Sequence, residues 1–215
     1  MSAFGTGWGD ADVIGKANFV TVLDTRRNNV VTYQSPKMAG LTVYAQIAGD
    51  AVAEGDAKGA EWSHDAARYM ALGAKYQAGD FDAMFTASRL EDSNDAGEAA
   101  VEDRDNYNAY VGYNFGVAKA MLQANYSEQG EDDRWGVVLS ATAPFAGGKL
   151  LAEAGYGVKT VSEKDTDLMN FAVGYQHTLS KQTYLYAGLG YNEEKPESGD
   201  KKDATIAQFG ICHSF

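Results

Sequence analysis

Apolar and polar residues alternate along most of this 215-residue chain. Counting back from Phe215, every second residue of the last stretch is His213, Ile211, Phe209, Ala207 and Thr205. A period of two marks a β-strand with one apolar and one polar face. Ten earlier stretches repeat the pattern, so eleven strands are predicted. The first runs from about Asn28 to Ser35 and turns at Pro36-Lys37-Met38-Ala39-Gly40. The second places Leu41, Val43, Ala45 and Ile47 opposite Thr42, Tyr44 and Gln46. In the third, Met70, Leu72, Ala74 and Tyr76 share a face, with Lys75 and Gln77 behind them. A tight turn at Gly79-Asp80 leads to Phe81, Ala83, Phe85 and Ala87, which reads as a hairpin. The remaining apolar faces begin at Tyr107, Ala118, Trp135, Leu150, Met169, Leu185 and Thr205.

The connections carry a second regularity. Polar, mostly acidic stretches lie at Asp50–Asp65, Glu91–Asp105, Glu128–Asp133, Thr160–Thr166 and Asn192–Asp203. They are predicted as loops that alternate strictly with short Gly- or Pro-bearing turns. Aromatic residues gather near strand ends on the apolar face: Tyr76, Tyr113, Phe115, Tyr126, Trp135, Tyr175, Tyr191 and Phe215. A strand of about ten residues rises roughly 3.3 Å per residue, and tilted by about 45° it spans about 23–25 Å. That equals the apolar band of a membrane barrel. The predicted fold is therefore all-β, an antiparallel up-and-down transmembrane β-barrel. A soluble sandwich or lipocalin-like barrel, with the apolar face turned inward, uses the same alternation.

Composition narrows the reading. The net charge of -12 argues against a nucleic-acid partner. Cys212 is the single cysteine, so no intramolecular disulfide forms. No apolar run approaches 18 residues, which leaves strands as the membrane element. Three prolines and 24 glycines suit long paired strands joined by tight turns. The residues after Met1 lack a basic n-region and an apolar core, so a secretory signal is expected to have been removed or to precede this sequence.

Two motifs are more specific. Arg26-Arg27-Asn28-Asn29-Val30-Val31-Thr32-Tyr33-Gln34-Ser35-Pro36-Lys37-Met38-Ala39-Gly40-Leu41 resembles a signature of Gram-negative general porins. The ending Gly210-Ile211-Cys212-His213-Ser214-Phe215 resembles that family's closing motif, with Cys212 in place of a usual arginine. The opening Met1 to Gly9 looks like the start of the family's inward-folded loop. The resemblance implies one porin-like domain over 1–215, with 1–25 the constriction loop and 26–215 strands six to sixteen of a sixteen-stranded pattern. The chain would then be about eleven strands of an incomplete, open barrel, a fragment whose Met1 is internal to a longer protein. It also implies a passive diffusion channel in the outer membrane for small hydrophilic solutes and ions. The resemblance further implies the outer-membrane lipid bilayer as a partner and a homotrimer for the full-length parent. The alternative is a non-conducting structural or surface-binding barrel.

A porin works through its constriction, where loop carboxylates face basic wall residues and the field between them sorts solutes. The resemblance makes Asp10 and Asp12 the loop acids, although both would equally solubilise a glycine-rich loop. Strand parity puts Arg26, Thr32 and Gln34 on the lumen side, with Val31 and Tyr33 toward lipid. Family members often carry an inward arginine near Thr32 or Gln34, and none stands here. Arg26 either joins the constriction or braces the loop. Further lumen charges by parity are Lys75, Asp82, Lys119, Arg134, Lys149 and Glu153; solvated wall residues would look the same. No enzyme is indicated: His64, His177 and His213 are far apart, and no P-loop, nucleophile elbow or metal-ligand spacing occurs. No metal and no cofactor is expected.

Overall fold

The period-two pattern is realised as eleven strands in a computed structural model that describes residues 20–21, 29–49, 68–91 and 102–214. They are β1 (Val30–Gln34), β2 (Leu41–Ala48), β3 (Arg68–Ala78), β4 (Phe81–Glu91), β5 (Arg104–Asn114) and β6 (Lys119–Gln129). Then come β7 (Asp132–Phe145), β8 (Gly148–Val161), β9 (Lys164–Thr178), β10 (Thr183–Pro196) and β11 (Lys202–His213). One sheet holds them all in sequence order, every neighbouring pair antiparallel. Among the described residues β1 and β11 are the two edges, so the sheet is open, as expected from the sequence.

The sheet is a single layer with inverted burial. On one face Leu72 is 65% exposed, Leu139 56% and Val173 57%, while on the other Asn106 is 2% exposed, Glu153 5% and Asn170 1%. A protein folded around an apolar core would show the opposite. The polar face is the concave one. One cavity touches Tyr44 and Gln46 of β2 and also Lys119 and Gln123 of β6, a reach that a flat sheet cannot give. The apolar face is thus convex, which removes the soluble-sandwich reading.

Aromatic contacts mark two levels on that convex face. Near the short turns, Tyr76 meets Phe81, Tyr113 meets Phe115 and Phe145 meets Tyr175, with ring centroids 6.2, 4.7 and 6.2 Å apart. Near the opposite ends, Tyr107 meets Tyr126 at 6.4 Å and Trp135 meets Tyr156 at 5.7 Å. Phe145 and Trp135 are ten residues apart on β7. That is about 33 Å of strand, or about 23 Å of height at a 45° tilt. Small and branched residues such as Val111, Leu122, Val137, Leu139 and Val173 fill the band between them. Two interfacial girdles bounding an apolar belt is the arrangement lipid demands.

The strands run longer than the apolar pattern shows, and this corrects the strict alternation of loops and turns. β6 and β7 are joined only by Gly130-Glu131, and β8 and β9 only by Ser162-Glu163. Both stretches read as polar loops in the sequence. Paired polar residues extend the ladder instead: Tyr156 donates to Asp167 at 2.6 Å and Thr160 to Asp165 at 2.9 Å. Likewise Pro144 is the penultimate residue of β7, paired with Lys149, rather than part of a turn. Ser162 and Glu163 both have positive φ, 50° and 63°, as a two-residue hairpin of type I′ requires.

Two outcomes follow. Leu139→Arg, in the middle of the band, should destabilise the folded protein by about 2–4 kcal/mol, read from denaturant unfolding in lipid vesicles. Replacing Ser162-Glu163 by Asn-Gly relieves left-handed backbone strain and should stabilise by about 1 kcal/mol, read from the same transitions.

Candidate functional site

Three charges of the concave wall, Lys75, Asp82 and Lys119, come together near the short turns. Asp82 is the second residue of β4, just past the Gly79-Asp80 turn, and Lys119 opens β6. The strand between them, β5, presents Gly112 opposite Asp82 and next to Lys119's level. A Cβ on Gly112 would lie 2.9 Å from Asp82 Oδ1 and closer still to the Tyr110 hydroxyl. The missing side chain leaves the space in which these groups meet. Lys119 Nζ donates to Asp82 Oδ1 at 2.8 Å, and the Tyr110 hydroxyl is hydrogen-bonded to Asp82 as well. Lys75 of β3 acts on the same carboxylate electrostatically and forms no salt bridge among the described residues. All four line a cavity of about 680 Å³ together with Tyr44, Gln46, Gln77, Asn108 and Gln123. The Lys119–Asp82 pair is partly exposed, its side chains 36% and 20% accessible, so it contributes no more than about 1 kcal/mol to stability; its importance is the field it sets up.

A second feature lies midway along β7 and β8. Val20 is fully buried against Val138 and Leu168. Its carbonyl oxygen presses on Gly136 and sits 3.0 Å from where a Cβ of Gly157 would stand. Its Cγ2 is 2.7 Å from the corresponding point on Gly155. Three glycines on adjacent strands thus form a seat, and residues 20–21 occupy it on the concave side. These two residues belong to the stretch 1–25 that the sequence reading treats as an inward loop.

The other expected site residues are not brought together. Asp10, Asp12 and Arg26 lie outside the described residues. Thr32 and Gln34 face the concave side on edge strand β1, where Thr32 Oγ1 accepts from Gln46 Nε2 at 3.2 Å. Glu153 is buried on β8 and accepts from Asn170 Nδ2 at 2.9 Å. Arg134 is half-buried near the far end of β7, where Glu194 of β10 acts on it across the concavity. Lys149 stands exposed near the short turn before β8. Of the wall charges, then, Lys75, Asp82 and Lys119 form one cluster, and Arg134, Lys149 and Glu153 stand apart. Sequence reasoning missed the structural parts of both features, Gly112 and the seat of Gly136, Gly155 and Gly157. Parity alone marks these glycines as inward; nothing in it says what they make room for.

The seat generates a test. In a Cys212→Ser background, Thr21→Cys should be shielded from a water-soluble maleimide. Adding Gly136→Val should expel the segment and speed labelling by about tenfold or more.

The comparisons with known proteins agree with this geometry. The family described as Gram-negative porin matches residues 1–197. Outer membrane porin protein 32 of Delftia acidovorans is 29% identical over 183 residues, 80% of this chain and 48% of the relative. An outer membrane porin protein of Bordetella pertussis is 25% identical over 254 aligned positions, 100% of this chain and 64% of the relative. The chain therefore spans about half to two thirds of the length of these relatives. Among solved structures, an anion-selective porin from Comamonas acidovorans superposes with a TM-score of 0.69 at 23% identity, covering 88% of this chain and 60% of that one. A loop-deletion mutant of the Vibrio cholerae outer membrane protein OmpT gives 0.63 at 16%, covering 86% and 63%. Its eleven-stranded sheet, its lipid-type outer face and the match over residues 1–197 place the chain in the Gram-negative porin family.

Proposed function

We propose that this protein is the wall of a passive diffusion channel in the bacterial outer membrane, and that the channel favours anions. The family is one of channels rather than enzymes. The observation that carries the reading is a partition of charge across the sheet. The whole chain is strongly acidic, with a net charge of -12. Yet the strand residues that share the concave face by register comprise eight cations and four carboxylates. The cations are Lys75, Arg104, Lys119, Arg134, Lys149, Lys159, Lys164 and Lys202; the carboxylates are Asp82, Asp132, Glu153 and Glu194. The acids gather instead on the convex side above the far girdle and in the loops. There Arg89 binds Asp103 at 2.5 Å and Asp105 at 3.4 Å. Lys201 donates to Glu193 at 3.1 Å, and that hydrogen bond raises its ammonium above the usual lysine value.

A water-filled passage walled by excess positive charge concentrates anions and depletes cations. The anion-selective relative from Comamonas acidovorans supports the same sign. The proposed lumen set is Lys75, Asp82, Lys119, Arg134, Lys149 and Glu153, with Thr32 and Gln34 on the wall. Asp10, Asp12 and Arg26 are proposed for the constriction. Small hydrophilic solutes and ions are the cargo, and a homotrimer is the proposed assembly on the strength of family membership.

Planar-bilayer recording of the porin should show stepwise conductance, and a KCl gradient should give a reversal potential of the sign set by chloride. A protein that never produces steps would sink the channel reading. Steps with a potassium-signed reversal potential would sink the anion preference alone.

A further inference from the structure

We propose that the cavity around Lys75, Asp82, Tyr110 and Lys119 is a solute-binding station that takes sugar acids of the uronate class. The proposal rests on the channel reading above and names a ligand for one part of its wall. Three observations support it.

The first is charge. Two ammonium groups and one carboxylate share the cavity, and the carboxylate is already engaged by Lys119 at 2.8 Å. Lys75 has no salt bridge among the described residues, so one positive charge is left for a solute. A carboxylate docking on Lys75 would gain a charge-assisted hydrogen bond in a partly dehydrated site. A dicarboxylate would meet Asp82 with its second charge and be repelled.

The second is the rest of the lining. Tyr44 and Tyr110 line the cavity beside the lysines and bring aromatic rings to it. Gln77 and Asn108 add amides that both donate and accept. Ring faces suit the C–H surface of a pyranose, and amides suit its hydroxyls. A bare inorganic anion uses neither. The volume of about 680 Å³ also exceeds what a simple ion needs and lies in the range of small-molecule sites.

The third is position. Asp82 and Lys119 lie within three residues of the short turns at Gly79 and Gly116. The acidic residues cluster at the opposite strand ends. On the concave wall those same ends carry Arg104, Arg134, Lys159, Lys164 and Lys202, so an anion drawn in past them reaches the station close to the short turns. The Lys119–Asp82 pair holds Tyr110 in place and prevents Lys119 from adding a second full charge. The station thus binds one anionic group without trapping it, which is what transport requires.

The test is blockade of the KCl current through the reconstituted porin by glucuronate, glucose and acetate. Glucuronate should reduce the current at a concentration several-fold below either control. Lys75→Gln should raise the half-blocking concentration of glucuronate about five- to tenfold and leave that of glucose unchanged. Tyr110→Phe, which keeps the ring and removes the hydroxyl, should weaken glucuronate less than Lys75→Gln does. Heat-modifiable migration of each variant checks that it is folded. Equal blockade by glucuronate and glucose, or a folded Lys75→Gln variant that blocks like the parent, would overturn the station and leave the channel standing. If the porin gives no conductance steps, the channel reading falls first. Calorimetric titration of glucuronate into the detergent-folded protein, with and without Lys75→Gln, then decides the station alone: saturable heat that Lys75→Gln abolishes supports it, and no saturable heat overturns it.

Discussion

Backbone hydrogen bonding in a medium without water is the constraint on which the rest of this structure depends. In hydrocarbon an unpaired N–H or C=O costs several kcal/mol, so a strand crosses lipid only with partners on both sides. β2 through β10 each have two antiparallel neighbours in continuous register. The pairing rule forces the meander, and the meander forces the two faces. Once neighbours are locked in register, residues of like parity line up across all eleven strands. One side then becomes apolar and the other mainly polar, with a few buried apolar residues such as Val138 and Leu168. Among the described residues β1 and β11 have one strand neighbour each and form the two edges of the sheet.

The partition of charge follows from the same parity. A strand residue on the convex face within the apolar band meets lipid, so it cannot be ionised at tolerable cost. Charges on strands are confined to the concave face or to the strand ends beyond the girdles. Within that restriction the two signs separate. The loops and outer ends hold most of the acids, and the concave wall holds a surplus of lysine and arginine. A net charge of -12, read for the whole molecule, has the opposite sign to the surplus on the concave wall. Only the register shows that the sign reverses between the outside rim and the wall.

This also explains which features were legible in the sequence. The eleven strands, their order and the facing of Leu41, Leu72, Leu139 or Val173 rest on contrast between apolar and polar neighbours, and that contrast is written directly in the chain. Where β8 and β9 extend past the membrane, both faces are polar and the period of two leaves no trace. Thr160, Asp165 and Thr166 therefore read as a loop although they lie in the register that pairs the end of β8 with β9. The inward parity of Lys75, Asp82 and Lys119 was legible for the same reason as the outward parity of their neighbours. Their convergence was not, because it depends on how many residues each turn consumes. Moving the Gly79-Asp80 or Gly116 turn by two residues would keep every parity and still pull Asp82 and Lys119 apart.

The glycines of the concave wall act by what they lack. Gly112 leaves the gap that Tyr110 and Asp82 fill, and Gly136, Gly155 and Gly157 leave the gap that Val20 fills. A strand wall on its own gives only a smooth polar surface, since its side chains stand at a fixed spacing set by the ladder. Depth comes from omitting a side chain at chosen positions, so that a neighbouring tyrosine or a returning segment can sink into the wall. The positions chosen are adjacent in register across strands, Gly136 opposite Gly157 and Gly155 opposite Val138, which turns single gaps into a shaped recess. The cavity with its lysines and the seat of residues 20–21 are therefore two uses of one device. One recess receives a segment of the chain itself, and the other is held open by a tyrosine and an ion pair.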